Sequence, residues 1–276
     1  MKRRSALSYL ASIALFAAAL VYVYPLILVA LNSLKTFQEI MANVMALPTR
    51  LSLENYSNAF ALMRYPSLFL NTLFVAAVGT GGVVLLASMA GYKLSRTKTR
   101  ISWLLFILCV APMMIPFQSF MIALVKIAKN LHLTNSTSGL SVIYWGLGVP
   151  LSLFMYHGFV KTVPREMDDC AYIDGAGTFR AFFQIIFPLL KPVTVSVIVL
   201  NVMWMWNDFL LPLLVLSGEK KAMTLQLAAY NFFGQYKIEW HYAMAGVLLT
   251  ITPAVIFYLA LQKQIIKGMV AGALKG

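Results

Sequence analysis

Acidic residues are scarce: the 276-residue chain has 9 Asp plus Glu against 22 Lys plus Arg, and charged residues of all kinds make up only 11%. A soluble globular domain carries roughly 25% charge, so a water-facing surface over the whole chain is excluded. Soft metal ligands are few. Cys109 and Cys170 are the two cysteines, and His132, His157 and His241 lie far apart with no H-E-x-x-H spacing. This excludes a zinc centre and an extracytoplasmic disulfide framework. No G-x-x-x-x-G-K-[ST] phosphate loop is present, and the Gly79, Gly81, Gly82 cluster has no lysine beside it, so ATP is not bound in that way. No serine or cysteine nucleophile stands with a base in the apolar stretches. The expectation is a non-enzyme, with no catalytic residue, no metal and no cofactor of its own. Ten-residue alternating strands are also missing, which disfavours a membrane barrel.

What fills the chain instead is apolar sequence, 61% of it. Uncharged runs cover Ser5 to Leu34, Tyr65 to Tyr92, Ile101 to Val125, Asn130 to Val160 and Tyr242 to Gln262, and Val193 to Gly218 is broken only by Asp208. Each exceeds the ~20 residues needed to cross the hydrocarbon core. The expected fold is an all-α membrane protein with six transmembrane helices, residues 1–276 forming one membrane domain, and the fourth span starting near Gly139. The N-terminal run is twice the length of a signal-peptide core, so it is expected to be a retained span. The glycine cluster at 79–82 points to close helix packing.

Of the 22 basic residues, 14 fall in segments 1–4, 93–100, 161–192 and 263–276, on one side of the spans. The positive-inside rule then puts both termini and the 161–192 segment in the cytoplasm. Because the basic residues sit at span ends rather than along one soluble face, nucleic acid is not an expected partner. A lone intramembrane acid and the lack of an evident inverted repeat argue against a self-powered carrier, and no filter loop argues for a channel.

Residues 164–192 form the one long, organised polar segment. Pro164 suits a first helical position, and Glu166, Asp168 and Asp169 follow where carboxylates favour the helix dipole. Gly175 can end that helix, with Asp174 bonding the corner. Thr178 is expected to N-cap a second helix whose Phe179, Phe182, Phe183 and Ile186 form one stripe until Pro188 stops it. The stripe suits either a groove on a soluble partner or the chain's own spans.

The segment resembles the EAA coupling loop of the membrane subunits of binding-protein-dependent ABC importers. The matching residues are Pro164, Glu166, Met167, Asp169, Cys170, Ala171, Ile173, Asp174, Gly175, Ala176, Phe182, Ile185 and Pro188 to Pro192. Asp169 and Cys170 stand where glutamate and alanine are usual. The runs Trp206 to Pro212 and Gly268 to Gly276 are similar to the carbohydrate-uptake branch, typified by the smaller membrane subunit of the maltose importer. The resemblance implies a permease subunit of an ATP-driven sugar importer in a bacterial or archaeal cytoplasmic membrane. Implied partners are a homologous second permease, two ATP-binding subunits that hold ATP and Mg, an extracytoplasmic sugar-binding protein, and membrane lipid. Coupling to the ATPase falls to Glu166, Asp168, Asp169, Cys170, Ala171, Asp174, Gly175 and Ala176. Rival expectations are an ABC permease for glycerol phosphate or an amino acid, and a self-powered carrier or channel.

Three further features stay open at the sequence level. Trp204, Asn207 and Asp208 suit a substrate pathway, yet Asp208 could equally bond a neighbouring helix while the tryptophans mark an interface belt. Tyr230, Asn231, Phe232, Phe233, Gly234 and Gln235 suit contact with an external binding protein or an interfacial turn. By resemblance the 268–276 tail reaches the ATPase pair; by composition it is a frayed terminus.

Overall fold

A computed structural model describes residues 6–216, 218, 220–232 and 239–273, and among them every regular element is helical. Contacts divide the chain into two compact units, one of residues 1–65 with 228–253 and one of 66–227 with 254–276. In chain order the helices are α1 (Ala6–Asn32), α2 (Phe37–Ala42), α3 (Glu54–Leu62), α4 (Tyr65–Arg96), α5 (Arg100–Val110), α6 (Phe117–Asn130), α7 (Thr137–Val160) and α8 (Glu166–Ile173). They continue as α9 (Thr178–Leu189), α10 (Lys191–Asn207), α11 (Leu210–Leu216), α12 (Leu225–Tyr230) and α13 (Trp240–Ala273). Four of them, α1, α4, α7 and α13, are long and apolar enough to span a membrane, and the count reaches six if two bent helix pairs each make one span.

The third expected span is not one straight helix. Pro116 disfavours helical geometry at Ile115, which takes an extended conformation (φ −93°, ψ 122°), and α5 and α6 meet at a 108° bend. The fifth is broken too: α10 ends at Asn207, Asp208 is extended (ψ 131°), and helix resumes at Leu210. The fourth starts where Ser136 accepts a hydrogen bond from Gly139 N–H, so Thr137 rather than Gly139 opens it.

In the first unit the stretch after α1 folds on its own polar groups. Lys35, almost wholly buried, donates from Nζ to the carbonyls of Asn43 and Val44, each at 3.1 Å. Asn55 donates to the carbonyls of Ser33 (2.8 Å) and Lys35 (2.7 Å). Thr36 and Glu39 form a reciprocal capping box on α2.

In the second unit α4, α7 and α10 pack through small and polar residues, as helices in lipid must. A Cβ at Gly79 would lie 2.7 Å from Met205 Sδ and one at Gly82 2.0 Å from Trp145 Nε1, whereas Gly81 faces open space. Two of the three glycines thus serve the close packing expected. Antiparallel α7 and the chain from α10 to Asp208 are zipped by three polar pairs: Tyr156 with Thr194 (3.0 Å), Asn201 with Ser152 (3.0 Å) and Tyr144 with Asp208 (2.8 Å).

Candidate functional site

Residues 164–192 form the expected helix, glycine corner and helix. Asp174 caps α8, Gly175 adopts φ +77°, Gly175 N–H donates to Tyr172 O (3.0 Å) and Ala176 N–H to Ala171 O (2.9 Å). This is the two-bond Schellman closure, which uses a left-handed residue that glycine takes without a Cβ penalty. The second helix differs from expectation. Thr178 is its first helical residue, not its cap, because Gly177 holds the extended cap conformation and no side chain caps it. Pro188 does not stop it either. A π turn over Phe182–Ile186, with Phe187 N–H bonded to Phe182 O, absorbs the proline, and the chain turns at Leu190 by 79° into α10.

The acidic turn splits by direction. Glu166, Asp169, Cys170, Asp174 and Gly175 are exposed, Ala176 is half-buried, and Ala171 and Asp168 are buried. Asp168 therefore does not belong to an outward acidic face. Its Oδ1 accepts from Tyr92 Oη (2.5 Å), and Oδ2 lies 2.9 Å from Arg96 Nη2. That second contact is electrostatic without a directed hydrogen bond to Oδ2; Arg96 Nη2 donates to Val163 O (3.0 Å) and Nη1 to Val160 O (3.3 Å). Arg96 thus ties the ends of α4 and α7 to the base of the hairpin. Sequence reasoning missed Tyr92 and counted Arg96 only as a cytoplasmic charge; the available signal was an arginine in the last turn of α4 followed by a carboxylate-rich turn.

The aromatic stripe divides in the same way. Phe182 and Ile186 are buried, with the Phe182 ring 5.2 Å from that of Tyr92, so this part of the stripe packs on the chain's own span. Phe179 (68% exposed), Ile173 (84%), Tyr172 and Met167 instead face outward beside the free carboxylates. The hairpin presents an exposed surface of mixed acid and hydrophobe on a base held by a buried ion pair.

Around the break at Asp208 a cavity of about 380 Å3 is lined by Trp204, Asp208, Gln118, Phe120 and Leu147 among others. Asp208 Oδ1 accepts from Leu210 N–H (3.0 Å), an Asx turn that starts α11, while Oδ2 takes the Tyr144 hydroxyl. The Trp204 ring meets Tyr144 edge-on at 5.2 Å. Asp208 therefore does bond a neighbouring helix, and it lines a cavity as well. Asn207 stands apart, donating back to Met203 O (2.8 Å). In the other unit Tyr230 and Asn231 are exposed, and Phe232 turns toward Tyr242 with ring centres 6.3 Å apart. Phe233, Gly234 and Gln235 lie outside the described residues. The tail is helical through Ala273, the end of α13. Among the described residues no cluster of His, Cys, Asp and Glu could hold a metal.

The chain is 38% identical over 257 residues to a probable starch degradation products transport system permease protein of Thermoanaerobacterium thermosulfurigenes, covering 93% of each chain. It is 32% identical to a multiple sugar-binding transport system permease protein of Streptococcus mutans, over the full length of both. A melibiose/raffinose/stachyose import permease protein of Bacillus subtilis is 33% identical with 83% of each chain covered. The crystal structure of a bacterial ABC transporter involved in the import of alginate superposes with a TM-score of 0.81 over 95% of this chain and 99% of that one; at 16% identity the likeness is of fold. Residues 82–270, which include the hairpin, the helix break at Asp208 and most of α13, match one family throughout, and the chain belongs to it: the binding-protein-dependent transport system inner membrane components.

Proposed function

We propose that this chain is the permease subunit of an ATP-driven importer of a sugar or oligosaccharide. The observation that carries the reading is the hairpin: an exposed acidic and apolar surface on α8 and α9 whose base is anchored to α4 by Asp168 and Arg96. Such a surface suits a groove on a soluble ATPase subunit, and the buried anchor lets force on the hairpin reach the spans. Two ATP-binding subunits closing on ATP and Mg would carry the hairpins of this chain and of a homologous second permease, switching the spans between inward- and outward-open forms. In this reading residues 1–276 make one transmembrane domain with six spans: α1, α4, α5 with α6, α7, α10 with α11, and α13. The hairpin and both termini face the cytoplasm of a bacterium or archaeon.

The relatives named for starch products, multiple sugars and melibiose-type oligosaccharides support a sugar as cargo, delivered by an external binding protein. Glu166, Asp169, Cys170, Asp174 and Gly175 are the exposed coupling residues, and Asp168 and Ala171 position them from beneath. Trp204 and Asp208 face the cargo from their cavity, and Tyr230 and Asn231 face the binding protein.

The test is uptake of labelled oligosaccharides into proteoliposomes containing the chain with its second permease, ATPase pair and binding protein. Uptake should require ATP and every partner. Gly175→Pro removes the N–H bonded to Tyr172 O and forbids φ +77°, so the protein should insert while ATP hydrolysis no longer drives uptake. Uptake by the chain alone without ATP, or normal transport by the variant, would overturn the reading.

A further inference from the structure

Beside the hairpin a cavity of about 710 Å3 is walled by the end of α4, the turn into α5, the end of α7 and the first residues after it. All four charged residues that line it are basic: Arg96, Lys98, Lys161 and Arg165. Arg96 is engaged by Asp168, but Lys98 and Lys161 are exposed and have no acidic partner among the described residues. Two polar atoms of lining residues, Ser95 Oγ and Arg96 Nε, are buried without a hydrogen-bond partner. The N-terminus of α5, eleven residues long and capped by Thr99, opens at the same wall and adds its positive dipole end. Beside the polar Thr97, Ser102, His157 and Thr162, the lining has an apolar part formed by Trp103, Phe106 and Ile107, and Trp103 and Ile107 continue onto the exposed outer face of α5.

Cations and unpaired donors at one end, with aromatic and aliphatic side chains leading out along a membrane helix, match the order of phosphate, glycerol and acyl chain in a phospholipid. We propose that this cavity is a binding site for an anionic phospholipid, with Lys98 and Lys161 on its phosphate and Trp103 and Ile107 along its first acyl methylenes. Basic pockets between spans are suited to anionic headgroups, each surface lysine contributing a several-fold gain in affinity. A soluble phosphate would find the lysines but leave the apolar wall uncovered. Arg96 both lines the cavity and holds Asp168, so a bound headgroup acts next to the hairpin's anchor. Only this consequence for coupling rests on the proposed importer function; the site itself needs no partner subunit.

The experiment uses the full chain in nanodiscs of phosphatidylglycerol and phosphatidylcholine at equal fractions, with retained lipid read by native mass spectrometry after release into detergent. Phosphatidylglycerol should be retained in preference to phosphatidylcholine. The double variant Lys98→Gln, Lys161→Gln should weaken that retention about twenty- to thirty-fold, at ~1 kcal/mol per cation, and Lys98→Arg, Lys161→Arg should restore it. If the double variant fails to fold, Lys98→Gln alone carries the comparison with about a fivefold loss. Equal retention of the two lipids, retention indifferent to the lysines, or displacement of phosphatidylglycerol by millimolar inorganic phosphate would each overturn the site. Because binding is read on the chain alone, a failed uptake assay leaves it standing, and its own failure leaves the importer reading standing.

Discussion

Removing the Asp168 carboxylate should free the hairpin from its base. In Asp168→Ala, Arg96 keeps its two backbone carbonyls but loses its counter-charge, with side-chain exposures of 14% for Arg96 and 10% for Asp168. Breaking a buried pair by deleting one partner costs about 3–5 kcal/mol. The lower end applies here, because Arg96 retains those carbonyls and its contact to Oδ2 is not a directed hydrogen bond. A loss of about 3 kcal/mol corresponds to roughly a 150-fold rise in local opening. Tyr92→Phe removes one hydrogen bond to a charged acceptor, costing about 1.5–3 kcal/mol, so opening should rise at least tenfold. Asp169→Ala changes an exposed side chain and should stay within about 0.5 kcal/mol of the parent.

Hydrogen–deuterium exchange read on peptides covering 166–176 separates these cases, since the amides of Asp174, Gly175 and Ala176 are protected only while the hairpin is formed. Protection should fall in the order parent, Tyr92→Phe, Asp168→Ala, with Asp169→Ala at the parental level. Arg96→Met combined with Asp168→Leu should recover part of the loss, because an apolar pair leaves no stranded charge. In the assembled transporter Asp168→Ala should lower uptake per ATP hydrolysed, while Asp169→Ala should weaken ATPase docking with the hairpin intact. Equal exchange for Asp168→Ala and Asp169→Ala would refute the anchor, whatever the transport assay returned.

Other expectations follow from single sites. Gly82→Leu should prevent proper insertion or lower the melting temperature sharply, because its Cβ meets Trp145 at 2.0 Å, whereas Gly81→Leu, which faces open space, should melt with the parent. Asp208→Leu strips the Asx turn of α11 and leaves the Tyr144 hydroxyl without its partner, so melting in detergent should report a loss of about 2–4 kcal/mol; Asp208→Asn, whose amide oxygen still accepts from Leu210 N–H and whose NH2 can donate to the Tyr144 hydroxyl oxygen, should cost less. Hydrogen bonds from Thr49 and Thr36 pull the Glu39 carboxyl down from 4.5 to about 2. Its folded value is depressed, so its support for the loop is full above pH 4.5 and is lost as pH falls through about 2. Exchange at the Thr49 amide should therefore stay slow at pH 4 in the parent and be fast there in Glu39→Ala, which removes the acceptor.

The limits of the sequence show at particular residues. Uncharged length sufficed for α1, α4, α7 and α13, because crossing the hydrocarbon is a requirement on composition alone. The Gly175 corner was equally legible, since a left-handed closure after a carboxylate-rich turn has few other solutions. The bend at Pro116 was available from the bias a proline places on the residue before it, yet a hydropathy reading passes over it because Ile115 and Pro116 are both apolar. Asp168 was not available. Three carboxylates share one turn of α8, and what turns one of them inward is Tyr92, 76 residues earlier, brought within reach by the packing of α4. The same holds at Asp208, where local sequence announces a costly intramembrane acid but only the approach of α7 supplies the tyrosine that satisfies it. In both cases local sequence placed the acid along its segment, and a tyrosine from a distant helix fixed its hydrogen-bond partner. Roles for acids in such a chain are therefore to be assigned after their tyrosine partners are known: the paired Asp168 and Asp208 hold the frame, and Glu166, Asp169 and Asp174, exposed and without an ion-pair partner among the described residues, are the ones the proposed coupling role calls on.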